Sequence, residues 1–454
     1  MKVGGLELPL DPHQVEGIAH LLRRPASGIF GDPGTGKTLT TLSAFHLLKR
    51  KGIIDALIVL APLNPTYEVW PLEVPKWHFP YEVAILHGPK KMQAALSGAD
   101  IFVLNYDGLD WFVREAWPKM RGTRRWWLVG DESTKYRKTN TIRFKRLKSM
   151  LNDFDRRTPL TGTPTPKSYL DLFGQVYMMD LGETLGKYIT QYRREYFFQT
   201  GYGGYTWALQ DKADKRIMDA LGGSMYRVSD KVLGLKKPRY NDIWVTLPPN
   251  ARATYEEFER EFITKIGRTK LTAVNAGVLS GKLRQLANGF VYDAKGKAHN
   301  VHDGKLEVVN DLVEQLQGSP LLLGYEFDHD GERLSKLLDA PRVYGGTKRA
   351  EAKKLFAQFN DGTLPVLACQ SAAAAHGLNL QQACHTVGYF GLPWDLETYI
   401  QFMRRVQRKG QTRRVTVHSF LARDTVDTLS LEVLTAKNVR QDHFLAGIKR
   451  RYLK

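Results

Sequence analysis

Short apolar segments alternate with amphipathic segments along most of this 454-residue chain. The apolar segments have the length of buried strands and end in polar or turn residues, as in 55–63, 100–109, 126–134 and 158–166. The amphipathic segments have helical periodicity, as in Leu39–Leu48. Strands that alternate with helices predict a parallel sheet covered by helices, with its ligand at the carboxyl ends of the strands.

The same alternation returns after residue 305, so the fold class predicted is α/β, with two doubly wound lobes. The apolar segments of the second lobe include 319–327, 364–371 and 384–391. The predicted domains are residues 1–235 as the first lobe with a helical insertion at 181–235, residues 236–304 as a linker with a helical segment, and residues 305–454 as the second lobe.

The region between the lobes has a different pattern. Residues 181–300 are mostly helical by periodicity, and 192–207 combine many aromatic residues with a glycine-rich turn. This segment is either a hairpin that stacks nucleic-acid bases on its aromatic rings or an aromatic core beneath a tight turn. Residues 236–250 are basic and flanked by prolines, which predicts a connector.

Composition favours a protein of the cytoplasm. Hydrophobic residues make up 43% of the chain and charged residues 25%, which is typical of globular proteins. No apolar run approaches the roughly 20 residues that span a bilayer, and the N-terminal residues lack the apolar stretch of a signal peptide. Two cysteines, Cys369 and Cys384, are too few for a disulfide framework or a zinc cluster.

The net charge of +19 predicts a polyanionic partner, of which nucleic acid is the usual one. Residues 401–454 hold 13 Lys/Arg and 4 Asp/Glu, and 135–148 hold seven basic residues and no acidic one. The alternative for each segment is a solvated helical face. Arg137 and Lys138 are the candidates for nucleic-acid contact in the second of these segments.

A phosphate-binding loop is predicted at Gly31–Thr38, which has the pattern G-x-x-x-x-G-K-[ST] before a helix. Its glycines let backbone N–H groups surround phosphate oxygens. Lys37 would reach the β- and γ-phosphates of ATP, and the Thr38 hydroxyl would bind Mg²⁺. The residues expected to bind the nucleotide here are Gly31, Gly34, Thr35, Gly36, Lys37 and Thr38.

An acidic pair follows the apolar segment 126–130. Asp131 would hold the hydration shell of the Mg²⁺ ion, and Glu132 would orient and deprotonate the attacking water. Taken alone, an acidic pair after a strand is also a common helix start. Together with a phosphate loop upstream, the pair predicts nucleotide hydrolysis.

A basic segment near the C-terminus has a predicted catalytic role. A helix over 395–409, with Asp395 as its N-cap, would place Gln401, Arg405 and Arg408 on one side. Arginine suits a fork that grips a γ-phosphate, so Arg405 and Arg408 are predicted arginine fingers. The other basic side chains are candidates for contact with the nucleic-acid backbone, namely Arg404, Lys409, Arg413 and Arg414.

The order and the residues of these motifs resemble those of helicase superfamily 2 and, within it, those of the Swi/Snf-like DNA translocases. The resemblance covers roughly residues 10–440. It is carried by LDPHQVEGIAHLL at 10–22, GDPGTGKT at 31–38, VLAPLNPTYEVW at 59–70, DEST at 131–134, LTGTPTPKSYLDLFGQVYMMD at 160–180, SAAAAHGLNLQQA at 371–383 and the segment 401–428.

The resemblance implies two RecA-like lobes with the nucleotide in the cleft between them. By the same resemblance Gln14 would lie on the adenine, and Gly377 and Asn379 would line the cleft. Thr161 and Thr163 would couple the nucleotide state to the grip on nucleic acid. The contacts to nucleic acid implied for the first lobe are Asn64 and Thr163.

Two departures from the family pattern stand out. The family usually has D-E-A-H where this chain has Asp131-Glu132-Ser133-Thr134, so the fourth side chain cannot couple as histidine does. Residues 372–377, AAAAHG, replace the usual paired glycines. The sequence shows no chromatin-reading module, zinc cluster or nuclease motif, as in compact bacterial or bacteriophage members.

The expected function is therefore that of an ATPase that moves on double-stranded DNA. The nearest alternative is a helicase that separates strands or remodels branches, on DNA or RNA. A third possibility, from another class, is a nucleotide-gated clamp that barely hydrolyses ATP. The presence of Lys37, Glu132, Arg405 and Arg408 disfavours the clamp.

Overall fold

The computed structural model describes residues 1–162, 164–165, 168–200, 206–268, 273–374 and 379–435. The chain divides into two units, Met1–Gly234 and Leu235–Lys454. Each unit carries its own parallel sheet, so the predicted fold class of two doubly wound α/β lobes is confirmed. The predictions for Thr163 and Gly377 and for the 201–205 part of the aromatic segment lie outside the described residues.

The N-terminal unit contains helices and strands in alternation. Its strands are β1 (Lys2–Val3), β2 (Leu6–Glu7), β3 (Gly28–Gly31), β4 (Ala56–Ala61), β5 (Val83–Ile85), β6 (Ile101–Asn105), β7 (Trp126–Asp131), β8 (Arg156–Thr161), β9 (Phe197–Thr200), β10 (Thr206–Leu209) and β11 (Met225–Val228). Its helices are α1 (Pro12–Arg23), α2 (Lys37–Arg50), α3 (Leu63–Glu68), α4 (Trp70–Lys76), α5 (Lys91–Ala95), α6 (Leu109–Trp111), α7 (Trp117–Met120), α8 (Ile142–Met150), α9 (Leu172–Asp180), α10 (Ile189–Tyr196) and α11 (Ala213–Leu221).

Within the described part of this unit, seven parallel strands form one sheet in the order β11-β3-β8-β7-β4-β6-β5. Successive side chains of a strand point to opposite faces, and both faces of this sheet are covered. In β4, for example, Leu57 and Val59 pack into one core, and Ile58 and Leu60 pack into the other. Burial on both faces explains why the strands are continuous apolar runs.

The strand order decides where the polar residues meet. Strands β3 and β7 are the two neighbours of β8. Because all three are parallel, the segments that follow Gly31, Asp131 and Thr161 leave the sheet at the same edge. This edge holds the phosphate loop, the acidic pair and the segment of 160–166 that the structure describes.

The C-terminal unit has the same plan. Its strands are β12 (Arg239–Val245), β13 (Phe290–Tyr292), β14 (Ala298–Asn300), β15 (Leu321–Tyr325), β16 (Arg342–Val343), β17 (Val366–Gln370), β18 (Thr386–Tyr389) and β19 (Thr416–Ala422). Its helices are α12 (Pro249–Arg268), α13 (Ala273–Asn288), α14 (Gly304–Leu316), α15 (Asp328–Leu338), α16 (Arg349–Asn360), α17 (Ser371–Ala374), α18 (Leu396–Met403) and α19 (Val426–Thr435). Six parallel strands of its described residues pair in the order β12-β19-β18-β15-β17-β16.

The structure corrects the prediction for 181–300. Helices α10 to α13 occur there, but so do the antiparallel hairpin β9–β10 and two strands that join the sheets. Strand β11 pairs with β3, and β12 pairs along its length with β19, so the expected connector 236–250 contributes an edge strand to the second sheet. Periodicity missed these strands because each is held by pairing with a distant strand rather than by a local pattern.

A cluster of buried polar side chains joins four helices of the C-terminal unit. The Lys305 ammonium, 0% exposed, lies 2.6 Å from the Asp427 carboxylate and donates to Asn288 Oδ1 at 2.8 Å. Asn288 Nδ2 donates to Asp330 Oδ2 at 2.8 Å, and Asp330 is also 0% exposed. Arg333 donates to the Asn288 carbonyl at 2.9 Å. Helices α13, α14, α15 and α19 are thereby tied together.

Two further expectations can be compared with the structure. Cys369 and Cys384 are both buried and free, as expected of a chain without a disulfide framework. None of the helices in the described ranges combines the length and the apolar character that a membrane crossing requires.

Candidate nucleotide-binding site

The predicted phosphate loop connects β3 to α2. Gly34 and Gly36 have φ angles of +89° and +78°, in the left-handed region that glycine adopts without strain. A Cβ atom on Gly36 would also lie 2.2 Å from Gln14 Nε2. The backbone therefore favours glycine at 36, where a Cβ would also displace the Gln14 amide, and the first turn of α2, with Lys37 and Thr38, starts directly after it.

Polar groups of the loop hold it in this shape. Thr35 Oγ1 donates to the Asp32 carbonyl at 2.7 Å, and Thr35 is 3% exposed. Lys37 Nζ donates to the Gly31 carbonyl at 2.7 Å. An ammonium group has three protons to donate, so this bond uses one of them. These bonds hold the loop in shape, and Lys37 and Thr38 are both half-buried at its helical end.

The first turn of α1 docks on the loop. Gln14 is 4% exposed; its Oε1 accepts from the Asp11 N–H at 2.9 Å, and its Nε2 donates to the Gly36 carbonyl at 3.4 Å. His13 Nε2 lies 3.0 Å from the Thr35 carbonyl. The adenine contact of Gln14 stays a prediction. The structure shows a direct hydrogen bond between this amide and the loop. A base bound by Gln14 would therefore be coupled to the loop conformation.

Asp131 ends β7 and is 9% exposed. Burial raises the pKa of its carboxyl group, and three neighbouring groups oppose that shift, among them the Glu132 backbone N–H. Trp70 Nε1 donates to Asp131 Oδ2 at 3.0 Å, and the positive charge of Lys37 favours the carboxylate. The phosphate-loop lysine and Asp131 therefore interact electrostatically.

The backbone at Glu132 is strained. Its φ of +55° and ψ of 56° are left-handed values that cost a residue with a Cβ on the order of 1 kcal/mol. The buried Tyr106 hydroxyl donates to the Asp131 carbonyl and, at 3.3 Å, to the Glu132 carbonyl. Its ring also packs edge-on against Tyr136, with centroids 5.3 Å apart. These contacts fix the direction in which the Glu132 side chain leaves the strand.

Trp70 and Tyr106 were missed in the sequence analysis. Trp70 is the last residue of the motif segment 59–70 and begins α4, whereas Tyr106 directly follows β6. Residues at the carboxyl ends of neighbouring parallel strands meet at one edge, so the position of Tyr106 after a predicted strand was an available signal, and Trp70 had no such signal.

Ser133 connects the acidic pair to α9. Its hydroxyl donates to Gln175 Oε1 at 2.9 Å, and Gln175 Nε2 donates to the carbonyls of Asp171 and Pro164 at 2.7 and 2.8 Å. Ser133 and Gln175 are both 0% exposed. Thus, although Thr134 replaces the usual histidine of the motif, the acidic pair still has a hydrogen-bonded path to the 160–166 segment, through the preceding residue.

A glycine makes this close packing possible. A Cβ on Gly174 would lie 2.0 Å from the Tyr136 carbonyl, so only glycine allows α9 to approach the 3-10 turn Ser133–Tyr136 this closely. Gly162 has a similar place beside the phosphate loop, where a Cβ would lie 2.9 Å from Pro33 Cδ. At both glycines, therefore, the backbone packs directly against a neighbouring group, a carbonyl at Gly174 and a proline ring at Gly162.

The side chains at this edge fit a Mg²⁺ ion that arrives with a nucleotide. Thr38 and Asp131 offer hard oxygen donors, which Mg²⁺ prefers. The described residues contain no cluster of three or more His, Cys, Asp and Glu side chains that could hold a metal ion. Mg²⁺ commonly binds through one or two carboxylates together with phosphates and water, so the small donor set suits it.

The predicted helix over 395–409 is shorter in the structure. Asp395 caps it as expected, accepting from the Thr398 N–H at 3.2 Å, but α18 ends at Met403. The Arg405 carbonyl bonds to the Leu380 N–H at 2.9 Å instead of continuing the helical ladder. The prediction that Gln401, Arg405 and Arg408 share one helical face is therefore wrong.

The chain after α18 nevertheless keeps these arginines close to the sheet. Arg405 is 9% exposed and its Nε donates to the Gln401 carbonyl at 3.0 Å. Arg408 lies in the following turn and is half-buried. Gln407 Nε2 donates to the Lys236 carbonyl at 2.9 Å, which fixes this turn against the start of the unit. The finger role of Arg405 and Arg408 stays a prediction.

Comparison with known proteins gives the family. Residues 13–296 match the SNF2-related domain, and residues 304–410 match the helicase conserved C-terminal domain. Protein p41 of Acyrthosiphon pisum secondary endosymbiont phage 1 is 30% identical over 97% of this chain and 98% of its own length. The chain belongs to the SNF2-related family. The resemblance seen in the motifs is thereby confirmed, and the protein is an enzyme of the helicase-like ATPase class.

Other relatives in the SNF2-related family are longer or more distant. The mouse DNA annealing helicase and endonuclease ZRANB3 is 25% identical over 95% of this chain, which spans 40% of that protein. A solved SWI2/SNF2 ATPase core of Sulfolobus solfataricus in complex with dsDNA is 20% identical and covers 100% of this chain and 94% of that one. Its TM-score is 0.47, and we take that similarity no further.

The side chains predicted to contact nucleic acid in this SNF2-related protein differ in exposure. Asn64, Lys138, Lys409, Arg413 and Arg414 are exposed, whereas Arg137 and Arg404 are half-buried. Asn379, predicted to line the cleft, is exposed, and its carbonyl accepts from Asn360 Nδ2 at 2.7 Å.

The basic segment 135–148 is less available than its composition predicted. Arg143 pairs with Asp107 at 2.9 Å, and Arg146 pairs with Asp110. Both arginines are thus partly neutralised by carboxylates near α6. The exposed lysines of the segment, Lys135, Lys138, Lys145 and Lys148, are its stronger candidates for a polyanion.

Proposed function

We propose that this protein hydrolyses ATP to ADP and phosphate and uses the reaction to translocate on double-stranded DNA. The observation that carries the proposal is the shared edge of the N-terminal sheet, where Lys37 and the buried Asp131 interact beside a strained Glu132. Hydrolysis of a phosphoanhydride requires charge neutralisation, an oriented water and a base, and these residues are suited to supply them.

Each residue has a proposed role. Lys37 and the N–H groups of the glycine loop bind the β- and γ-phosphates, and Thr38 and Asp131 hold the Mg²⁺ ion. A bound Mg²⁺ neutralises phosphate charge in the transition state. Glu132, aimed by the Tyr106 hydrogen bonds to its backbone, accepts a proton from the attacking water. A dication beside Asp131 would also favour its carboxylate form over the protonated form that burial favours.

The C-terminal unit contributes the proposed arginine fingers. Arg408 is the better candidate of the two, since it is half-buried in a turn, whereas Arg405 is 9% exposed and bonded to a backbone carbonyl. Arg408→Ala should slow hydrolysis by about 10³-fold while ATP still binds. The matched control is Arg349→Ala, which removes an exposed arginine of the same unit. Normal turnover with weaker DNA binding in Arg408→Ala would make Arg408 a phosphate-backbone contact instead.

Double-stranded DNA is the proposed track for three reasons. The charge of +19 favours a polyanion, the family is helicase-like, and a relative is described as a DNA annealing helicase. A phage relative over nearly its full length favours a bacterial or phage-infected cell, and therefore its cytoplasm, as the place of action. A strand-separating helicase is the second candidate, favoured by the hairpin β9–β10 in the N-terminal unit.

The test is the ATPase rate of the full chain with no nucleic acid, single-stranded DNA, blunt duplex DNA, forked DNA and duplex RNA. We expect strong stimulation by blunt duplex DNA, and displacement of a triplex-forming strand as the duplex is traversed. Stimulation only by single strands or forks would favour the helicase. A chain that binds ATP and DNA but shows no stimulated turnover would be a clamp.

A further inference from the structure

A pocket of about 340 Å³ lies between α10 and the hairpin β9–β10. Its size is at the lower end of the roughly 300 to 1,000 Å³ of small-ligand sites. The side chains that line it include Arg193 and Arg194 from the helix and Phe198, Gln199 and Trp207 from the hairpin. None of the residues of the phosphate loop or of the acidic pair lines this pocket.

The floor of the pocket is a preformed cation–aromatic pair. The Arg193 guanidinium lies 5.3 Å from the centre of the Trp207 ring. Its Nε is buried, and among the described residues it has no hydrogen-bond partner. A guanidinium near the face of an indole is attracted by the ring and still has N–H groups to donate. This pair therefore offers an aromatic surface beside hydrogen-bond donors.

The rim offers an aromatic face and a charge. Strand alternation turns Phe197, which is 4% exposed, into the core and leaves Phe198 50% exposed. Arg194 is exposed on the adjacent helix. A single exposed phenylalanine is ordinary on a protein surface. Phe198, however, lines the same pocket as two arginines and a tryptophan, and none of the lining side chains is a carboxylate. This combination distinguishes the pocket from an ordinary exposed phenylalanine.

We propose that this pocket binds an unpaired nucleotide of DNA. An exposed aromatic ring stacks on the face of a base, and arginine binds the phosphate that follows it. A base inside a duplex is already covered on both faces by its neighbours, so the site selects single-stranded DNA over duplex. The proposal goes beyond duplex translocation and is independent of it, because binding is measured without ATP.

The experiment measures binding of the full chain to a forked DNA and to a blunt duplex of equal length. The fork carries 2-aminopurine in its unpaired arm, because stacking on an aromatic ring quenches this base. Phe198→Ala and Arg194→Ala should each weaken binding of the fork by about tenfold and relieve the quenching. Binding of the blunt duplex and its stimulation of the ATPase should stay within about twofold.

Two matched controls separate the site from general effects. Leu72→Ala removes an apolar side chain that is 49% exposed in α4, and Lys51→Ala removes an exposed charge at the end of α2. Both should bind the fork normally. Phe198→Tyr keeps an aromatic face and should restore quenching.

Three results would overturn the proposal. Equal losses on fork and blunt duplex would show general attraction to phosphate, and normal fork binding by both variants would show that the pocket holds no nucleotide. Tighter, Phe198-dependent binding of a single-stranded RNA than of the matching DNA would assign the pocket to a different nucleic acid. A failure of duplex-stimulated ATP hydrolysis with intact, Phe198-dependent fork binding would refute the proposed motor and leave this site standing.

Discussion

Both units bury aspartates beside a lysine, and they do so in opposite ways. In the N-terminal unit Lys37 is half-buried, donates to a loop carbonyl and acts on Asp131 only through its charge. In the C-terminal unit Lys305 is fully buried and lies 2.6 Å from Asp427. The first lysine stands on a glycine loop at the end of a strand, and the second is closed in between four helices.

The difference separates a binding site from a structural cluster. Removing a charge from water is costly, and a buried charge is tolerated only when partners compensate it. Around Lys305 the protein supplies the partners itself, namely Asp427 and Asn288. At Asp131 the opposing contacts from Trp70 and Lys37 leave the pKa raised by burial. A cation and a phosphate would complete the first site, whereas Lys305 and Asp427 already form a buried ion pair, although the neighbouring Asp330 keeps a raised pKa.

The largest expected contrast is between the two lysines. Lys37→Ala should reduce ATP hydrolysis by about 10³-fold, because the transferred phosphoryl group loses its cation, and should leave the free energy of unfolding nearly unchanged. Lys305→Met should lower the free energy of unfolding by about 3 to 5 kcal/mol, because Asp427 stays buried without its partner. Steady-state ATPase assays and denaturant unfolding of both variants measure the contrast.

Two outcomes would contradict this contrast between Lys37 and Lys305. Retained ATP affinity and turnover in Lys37→Ala would contradict the phosphate-loop assignment. Unfolding of Lys305→Met at the wild-type denaturant midpoint would show that the buried cluster contributes little to the fold.

A smaller effect is the dependence of stability on pH that the buried Asp330 should produce. Burial raises the pKa of Asp330 from 3.8 to about 7, against the opposing hydrogen bond from Asn288. A carboxyl group with a raised pKa favours the fold while it is protonated, so its contribution is complete below pH 3.8 and is lost as the pH rises through 7. Asp330→Asn keeps an acceptor for Asn288 and removes the titration.

Wild type should therefore lose about 2 to 3 kcal/mol of stability relative to Asp330→Asn between pH 5 and pH 8. Unfolding curves of both proteins at several pH values measure this difference. Parallel curves across the range would show that Asp330 does not titrate there. The variant should hydrolyse ATP normally at pH 7, since Asp330 lies in the structural cluster.

The residues of the phosphate site could be predicted from the sequence, whereas those of the structural cluster around Lys305 could not. The phosphate loop at Gly31–Thr38 and the acidic pair Asp131-Glu132 were predicted because each motif consists of adjacent residues. Each also follows a strand that is a continuous apolar run. The end of α18 was not found, because the bond from the Leu380 N–H to the Arg405 carbonyl joins distant segments. Strands β11 and β12 and the contacts of Trp70 and Tyr106 escaped for the same reason. The buried cluster around Lys305 has no local signature at all.

The smallest expected effect concerns the path from the acidic pair to α9. Ser133→Ala removes the donor to Gln175 Oε1, and Gln175→Leu removes the acceptor. Ser133→Ala leaves Gln175 Oε1 without its donor and should lower the free energy of unfolding by about 1 kcal/mol. Gln175→Leu also takes the amide donor from the Pro164 and Asp171 carbonyls and should lower it by more. If the bond also helps to place Glu132, kcat should fall about tenfold, the equivalent of about 1.4 kcal/mol in the transition state.

The double variant, Ser133→Ala with Gln175→Leu, separates these two roles. In the double variant the Ser133 hydroxyl is no longer left without its acceptor, so stability should recover part of what Gln175→Leu loses, while the Pro164 and Asp171 carbonyls still lack the Gln175 amide. The DNA-stimulated kcat should stay low with an unchanged KM for ATP, because the tie between the acidic pair and the Pro164 carbonyl is still missing. Recovery of kcat together with stability would instead make this pair a packing contact. In that case the site would depend only on the Tyr106 and Trp70 contacts to hold the acidic pair at the sheet edge.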